Sequence, residues 1–443
     1  MENLQMTQKA RWMSGLAATA LVLISLLLFQ RDAQSAGGET GFVPFDTFLT
    51  SVRSATLESL AGREGVRVHN AAEFERMKAH ILSLYEGVEV DKTFILDESN
   101  HVDCINVNKQ PSLRRNGKFL PIAKAPAPKL AKEKAEDPDR QDKNLNPMLS
   151  AERKDSFGNA QYCRQGFIPM RRVTLEKLVR YETVADFLHK YGKAGTQGLH
   201  RWAKGDQKVD NIGGESYLNL WKPVSSPGEF SLSQQWYMGG SGGKRQTVEG
   251  GWQVYPRMYN TSLPALFIFF TSDNYSTGCY NLDCRAFVQV NNDWVLGGAL
   301  SPVSTDGGPQ YSFRMTWLLA AHDWWLFLQK EQGPDNLNPI GYYPEYLFQG
   351  GQMTKYAQYI KFGGETAASQ SAGQMGSGAF ASAGSDHAAY QRNIIYTDKK
   401  YVNLPAKLSG SQDTKSCYTI DIHNKTSNWW ATYFFFGGPR CPN

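Results

Sequence analysis

The sequence predicts an all-β domain of antiparallel strands, a sandwich or barrel, preceded by a small α+β unit. Three observations lead there. After about residue 201, short apolar and aromatic runs recur between Gly-rich turns, the pattern of many short strands. Helical spacing is nearly absent from that part and is confined to the N-terminal side. The same part holds almost all of the tryptophan and most of the glycine, and its roughly 240 residues can bury a sizeable core.

The chain opens on Met1–Ala36, which reads as a secretory signal peptide. Lys9 and Arg11 form its basic end, Gly15–Phe29 its apolar run, and Ala33, Ser35 and Ala36 its cleavage site. That run is short for a membrane span, and an uncleaved anchor is the alternative. The expectation is a secreted chain, extracellular or periplasmic, with no membrane attachment once the signal is removed. In such an oxidising setting the six cysteines are expected as disulfides. Six cysteines allow fifteen pairings, among which sequence alone does not choose; local spacing favours Cys279–Cys284, while Cys417–Cys441 would tie down the C-terminus and Cys104–Cys163 would lie inside the N-terminal unit.

That unit spans about residues 42–191. Asn70 to Glu73 has the spacing of a capping box, and Phe74, Met77, Ile81, Leu82 and Tyr85 follow at helical intervals. Thr174–Tyr191 is a second helical pattern; Thr93–Leu96 and His101–Val107 are strand-like. Ala123–Lys154 is rich in Lys, Ala, Pro, Asp and Glu, and is expected to be a disordered insert without core residues. Lys190–Asp206, Gly-rich and basic, is expected to be an exposed linker and cleavage region. Downstream strands are expected at Leu263–Phe270, Ala286–Val290, Ser312–Leu318, Trp324–Leu328, Tyr356–Phe362, Asn393–Thr397 and Trp429–Phe436.

The stretch Phe230–Cys284 concentrates the unusual features. Phe230, Leu232, Trp236 and Met238 alternate with Ser231, Ser233, Gln235 and Tyr237, the period of a half-buried strand. After a Gly-rich turn, Val248, Trp252 and Val254 fall on one face and Glu249, Gln253 and Tyr255 on the other. A carboxylate inside a strand beside a glycine pair marks a surface that another backbone can approach. The plain alternative is a solvated strand face.

These residues resemble the catalytic domain of the neprosin family, secreted peptidases with a glutamate pair and no metal. The resemblance runs from about Arg201 to Asn443 through SLSQQW (Ser231–Trp236), VEGGWQV (Val248–Val254), TSDNYSTGCYNLDC (Thr271–Cys284) and FVQV (Phe287–Val290). It continues through Gly297–Tyr311, GYYPEYLF (Gly341–Phe348), FGGE (Phe362–Glu365), QMGSG (Gln374–Gly378) and the terminal FFFGGPRCPN. Asp103–Leu113 and Cys163–Arg172 resemble the activation-peptide domain that precedes it, which implies a zymogen. The resemblance further implies a β-sandwich of two large antiparallel sheets over 201–443. It also implies a catalytic pair at Glu249 and Glu365, a preference for cutting after proline, and a groove holding a protein or peptide substrate. Gly250 and Phe362 stand where the family more often has alanine and tryptophan. On periodicity, Gln235, Gln253 and Tyr255 are candidates to line the groove.

Other chemistries find less support. Gly239–Gly243 satisfies G-x-S-x-G, but no helix follows it, so it lacks the strand-turn-helix of a nucleophile elbow. There is no H-E-x-x-H and the eight histidines are dispersed, so neither a metal nor another cofactor is expected. The net charge of +5 is spread along the chain without a basic, aromatic-laced patch, which argues against a nucleic-acid partner. Two readings compete with a peptidase: a non-catalytic sandwich binding peptides or glycans in the groove, and a glycosidase using paired acids.

Overall fold

The computed structural model describes residues 41–97, 100–126, 142–145, 148–190, 199–329, 337–368 and 373–441. The segment read as a signal peptide, 1–36, lies outside them, as do 127–141 of the insert and 191–198 of the expected linker. Among the described residues no helix is long and apolar enough to cross a membrane.

The N-terminal part builds helix α1 (Phe45–Ser54), helix α2 (Ala71–Leu84) and strands β1 (Val90–Ile95), β2 (His101–Asn106) and β3 (Phe167–Arg171). Asn70 caps α2, its side-chain oxygen accepting from the Glu73 amide at 2.7 Å. The helix buries Phe74, Met77 and Ile81 of the expected stripe, and Leu84 in place of Leu82, which is half-buried. The three strands form one antiparallel sheet in chain order, stapled by Cys104–Cys163. The pattern expected as one helix over 174–191 is two, Leu175–Leu178 and Val184–Leu188. The second restarts because Thr183 accepts from the Asp186 amide, a new N-cap inside the pattern.

The charged insert needs correction at its C-terminal end. Asp142–Asn144 pairs with Gln310–Ser312 as a short parallel strand, and Leu145, Met148 and Leu149 are buried in the core. A few apolar residues after the charged run are enough to anchor it.

The rest folds as two large sheets. Their strands are β4 (Leu199–Asn211), β5 (Gly213–Asn219), β6 (Phe230–Gly239), β7 (Gln246–Val254), β8 (Ala265–Thr271), β9 (Cys279–Tyr280), β10 (Val288–Gln289), β11 (Gln310–Ala320) and β12 (Asp323–Gln329). They continue as β13 (Leu337–Tyr343), β14 (Ala357–Ala368), β15 (Ala389–Thr397), β16 (Ser409–Gln412), β17 (Thr419–His423) and β18 (Tyr433–Gly437). One sheet has seven strands in the order β9-β8-β7-β6-β14-β4-β16. The other runs β10-β13-β12-β11-β5-β15-β18-β17, with Asp142–Asn144 and Asn403–Pro405 added to reach ten. The large-sheet pairings are antiparallel apart from the Asp142–Asn144 contact, and the sheets pack face to face as a sandwich.

Strand β4 overturns the expectation of an exposed linker for the described residues 199–206. It is the strand next to β14, paired with it from Leu199 to Asn211. Its alternation is mostly polar, so it does not read as a strand in isolation. Residues 43–443 form one compact unit, and apolar residues of both parts join in a single buried cluster. Cys279–Cys284 and Cys417–Cys441 complete the disulfides, with α-carbons 6.2 and 5.1 Å apart.

Between the sheets, Val248, Trp252 and Val254 of β7 are buried as their alternation predicts. The indole of Trp252 donates to the Asn219 carbonyl of the facing sheet at 2.9 Å. Gly251 allows β6 and β7 to close: a β-carbon there would lie 1.9 Å from the Ser233 carbonyl oxygen. Gly251→Ala should therefore disrupt the β6–β7 pairing and lower stability by about 1–3 kcal/mol or more, the scale of overpacking. Thermal melts of the variant would show this, and an unchanged melting temperature would refute it.

Candidate active site

Strand β6 lies between β7 and β14, so it separates the two strands that carry Glu249 and Glu365. Glu249 is registered with Trp236 and Glu365 with Leu232, on the sheet face that points away from the sandwich interior. The row between them is Gly251–Gln234–Gly363. Neither glycine has a side chain, which leaves the floor between the acids low. Their sequence neighbours point the other way. A β-carbon on Gly250 would meet Met315 and Trp317, and one on Gly364 would meet Phe436 and Met375.

The face assignment corrects one expected groove residue. Gln235 lies between the sheets, where its amide donates to Ser216 Oγ at 2.8 Å and the Met315 carbonyl at 2.9 Å. Gln391 extends this buried network, donating to Ser233 Oγ and the Gln234 carbonyl. Because these polar groups satisfy one another, β6 can turn its polar face inward and its apolar face, with Trp236 and Leu232, toward the groove. Gln234, breaking that apolar alternation at its centre, takes the groove position. Gln253 shares the face of Glu249, and its amide oxygen accepts from the Tyr259 hydroxyl at 2.9 Å. Tyr255 follows the end of β7, near Phe230, with its hydroxyl facing Tyr181 of the N-terminal part.

Both carboxylates are fully buried, and so is the side chain that joins them. Lys190 Nζ donates to Glu249 Oε2 at 2.8 Å and forms an ion pair with Glu365 Oε2 at 3.0 Å, with 0% exposure on all three side chains. It also lies 5.4 Å from the Trp236 ring. The other oxygens are taken. Glu249 Oε1 accepts from the Tyr275 hydroxyl at 2.7 Å and the Thr247 hydroxyl at 2.8 Å. Glu365 Oε1 pairs with His200 Nδ1 at 2.7 Å, and that ring stacks on Trp202. Gln234 donates to Glu249 Oε2 at 3.3 Å.

Burial alone would raise the Glu365 pKa, but Lys190 and then His200 reverse it, holding the carboxyl at about 2. Burial likewise works against the Lys190 charge, and Glu249 and Glu365 outweigh it so that its pKa is raised. The stabilisation from Glu365 is therefore present above its ordinary 4.5 and is lost as pH falls toward about 2. The Lys190 contribution is complete below 10.5 and is lost only as pH rises beyond its raised value.

Tyr275 reaches the site from the turn between β8 and β9, just before the loop closed by Cys279–Cys284. Its backbone is left-handed, φ 68°, and its amide donates to Thr271 Oγ1 at 2.8 Å. A second contact between the two parts centres on buried Asp283 in the same loop. Lys177 Nζ is 3.5 Å and Arg171 3.9 Å from its carboxylate, and His80 Nε2 is 3.0 Å from its carbonyl oxygen. Burial, mainly, lowers the His80 pKa.

Sequence reading missed Lys190, His200, Tyr275, Thr247 and Gln234. Lys190 and His200 fall in the stretch taken for a linker. Thr247 and Gln234 were legible in principle, since period two places them on the faces of Glu249 and Trp236. Among the described residues no group of three His, Cys, Asp or Glu could hold a metal ion.

Comparison with known proteins gives two findings. The family model described as Neprosin matches residues 227–439. Two solved structures are similar at low identity. A Scytalido-glutamic peptidase with a peptide-based transition-state analog is 8% identical, covers 54% of this chain and 98% of its own, and has a TM-score of 0.30. SCP-B, a member of the Eqolisin family of peptidases in complex with the tripeptide Ala-Ile-His, is 7% identical, with the same coverages and a TM-score of 0.29. Likenesses this remote carry no argument about the site.

Removing Lys190 leaves two buried carboxylates side by side. Lys190→Met should destabilise the full chain at pH 7 by about 3–5 kcal/mol, the cost of breaking a buried pair. The loss should be smaller at pH 4, where one carboxyl can take up a proton. Melts at the two pH values would test this; equal stability to the parent chain at pH 7 would refute it.

Proposed function

We propose, from the premise that residues 227–439 belong to the Neprosin family, that this protein is a glutamic endopeptidase made as a latent precursor. One observation carries the reading. Glu249 Oε2 and Glu365 Oε2 converge on a single point above a low glycine floor, the point now filled by Lys190 Nζ. A water or a scissile carbonyl placed there would touch both acids.

In this mechanism Glu365 is the general base. Its pairing with His200 favours the ionised form, and that pairing persists when Lys190 leaves. Glu365 takes a proton from water as the water oxygen attacks the peptide carbonyl. Glu249 holds its proton on Oε2, because two carboxyls this close do not both ionise easily. Its Oε1 keeps the Tyr275 and Thr247 hydrogen bonds meanwhile. The protonated Glu249 donates to the carbonyl oxygen, stabilising the negative charge that develops. As the C–N bond breaks, Glu365 passes the proton it took from water to the leaving amine. The preference for a proline before the cut belongs to this proposal through the family resemblance alone.

Residues 42–191 act in this reading as the activation segment, and Lys190 as its plug. Support comes from the blocked dyad, the nearby Tyr181–Tyr255 contact and the Asp283 cluster. Secretion accords with three disulfides and the leader-like N-terminus.

Two expectations test this. Glu249→Gln and Glu365→Gln should each lower turnover of an unstructured protein substrate at least about a hundredfold, and the losses should not add in the double variant. Near-normal activity in either, with folding intact, would favour the groove-binding sandwich instead. Acid should release the plug. His80 must charge as pH falls below 6.5 in a nook that already holds Lys177 and Arg285, and the stabilisation from Glu365 erodes as pH falls from 4.5 toward about 2. Activity of the full chain at one assay pH, after preincubation from pH 7 down to 3, should therefore rise as preincubation becomes more acid. A flat response would remove the acid-release step.

A further inference from the structure

Beyond the two glutamates, the groove face carries a concentration of positive charge. Lys361 on β14 stands in the row of Glu249, across Trp236. On the adjacent β4, Lys204, Asp206 and Lys208 are registered with Gly363, Lys361 and Tyr359, and so share that face. Arg245, in the turn before β7, is exposed and near enough to act on Lys361. The Lys361 ammonium is lowered in pKa, first by burial and next by Lys204, with Arg245 adding to it; Asp206 and Glu249 pull the other way. Among the described residues, no carboxylate lies within ion-pair distance of Lys361, Lys204 or Arg245. Lys204 lies instead 5.5 Å from the Trp202 ring.

A half-buried ammonium beside like charges is costly unless something of opposite sign completes it. The one carboxylate in the patch, Asp206, does not reach Lys361. Lys361 and Lys204 are only partly buried on the face that carries Glu249 and Glu365, so a peptide bound along that face can bring the counter-charge. We propose that Lys361, Lys204 and Arg245 form a cationic subsite that takes an aspartate or glutamate side chain of the substrate. This rests on the peptidase reading above and adds a specificity to it.

Register sets where the acid falls. Lys361 and Glu365 are four residues apart on one strand, about 13 Å, and an extended peptide advances about 3.3 Å per residue. The acidic side chain therefore lies about two to four residues from the scissile bond.

The test uses the acid-activated full chain and peptides that share one cleaved core. Each of the four positions on either side is Glu, Gln or Lys in turn. At pH 5.5, Glu at one position should raise kcat/KM roughly three- to tenfold over Gln, and Lys should lower it, the scale of a partly exposed charge pair. The gain should shrink with added salt and vanish as pH falls through the peptide glutamate's ordinary pKa of about 4.3. Lys361→Gln should abolish the preference, and Lys361→Glu should invert it toward Lys. Equal cleavage of all the peptides, or a Glu preference untouched in both variants, would overturn the subsite and leave the peptidase reading standing. Cleavage of none would overturn that reading and the subsite together.

Discussion

Two carboxylates buried on one sheet face need a positive charge between them, and Lys190 supplies it. Taking three charges out of water costs several kcal/mol per ion, and only close, well-directed contacts repay it. Here each Oε2 lies within 3.0 Å of Nζ, while each Oε1 has its own partners in Tyr275, Thr247 or His200. A buried charge cluster of this kind adds little net stability compared with an apolar one. It does make the arrangement exclusive, because displacing Lys190 exposes two carboxylates that must find a proton or another partner. The residues before β4 are therefore tied to the sandwich chemically as well as by packing.

The rest of the groove follows from the same face of the sheet. Gly251 and Gly363 keep the floor low between the acids, while Gly250 and Gly364 let the second sheet approach from behind. Strand β6 turns its apolar side outward, where Lys190 lies against Trp236, and keeps the Gln235–Ser216 and Gln391–Ser233 hydrogen bonds inside. That inversion puts an apolar wall, including Trp236 and Leu232, beside Glu249 and Glu365. The turn between β8 and β9 brings Tyr275 in from one side, and β4 brings His200 from the other. Five chain segments distant in sequence thus meet at one ion cluster.

What the sequence by itself determined is the class of the fold, the strands with clean alternation, the capped helix α2 and the close Cys279–Cys284 pair. It also marked Glu249 and Glu365 as unusual, because a carboxylate next to a glycine pair within a strand is visible in the order of residues alone. These features are local: they depend on period two, period 3.6, a cap, or a short loop between cysteines. Tertiary structure decided what local pattern does not encode. It chose which face of β6 looks inward, since the Gln235 amide nitrogen donates to Ser216 and Met315 of the facing sheet. It made a strand of the polar run Leu199–Asn211, because β14 and β16 supply the hydrogen bonds that its own side chains do not predict. It placed Lys190 between the two glutamates, a pairing across 59 residues to Glu249 whose strength comes from burial, and burial is a property of the assembled fold.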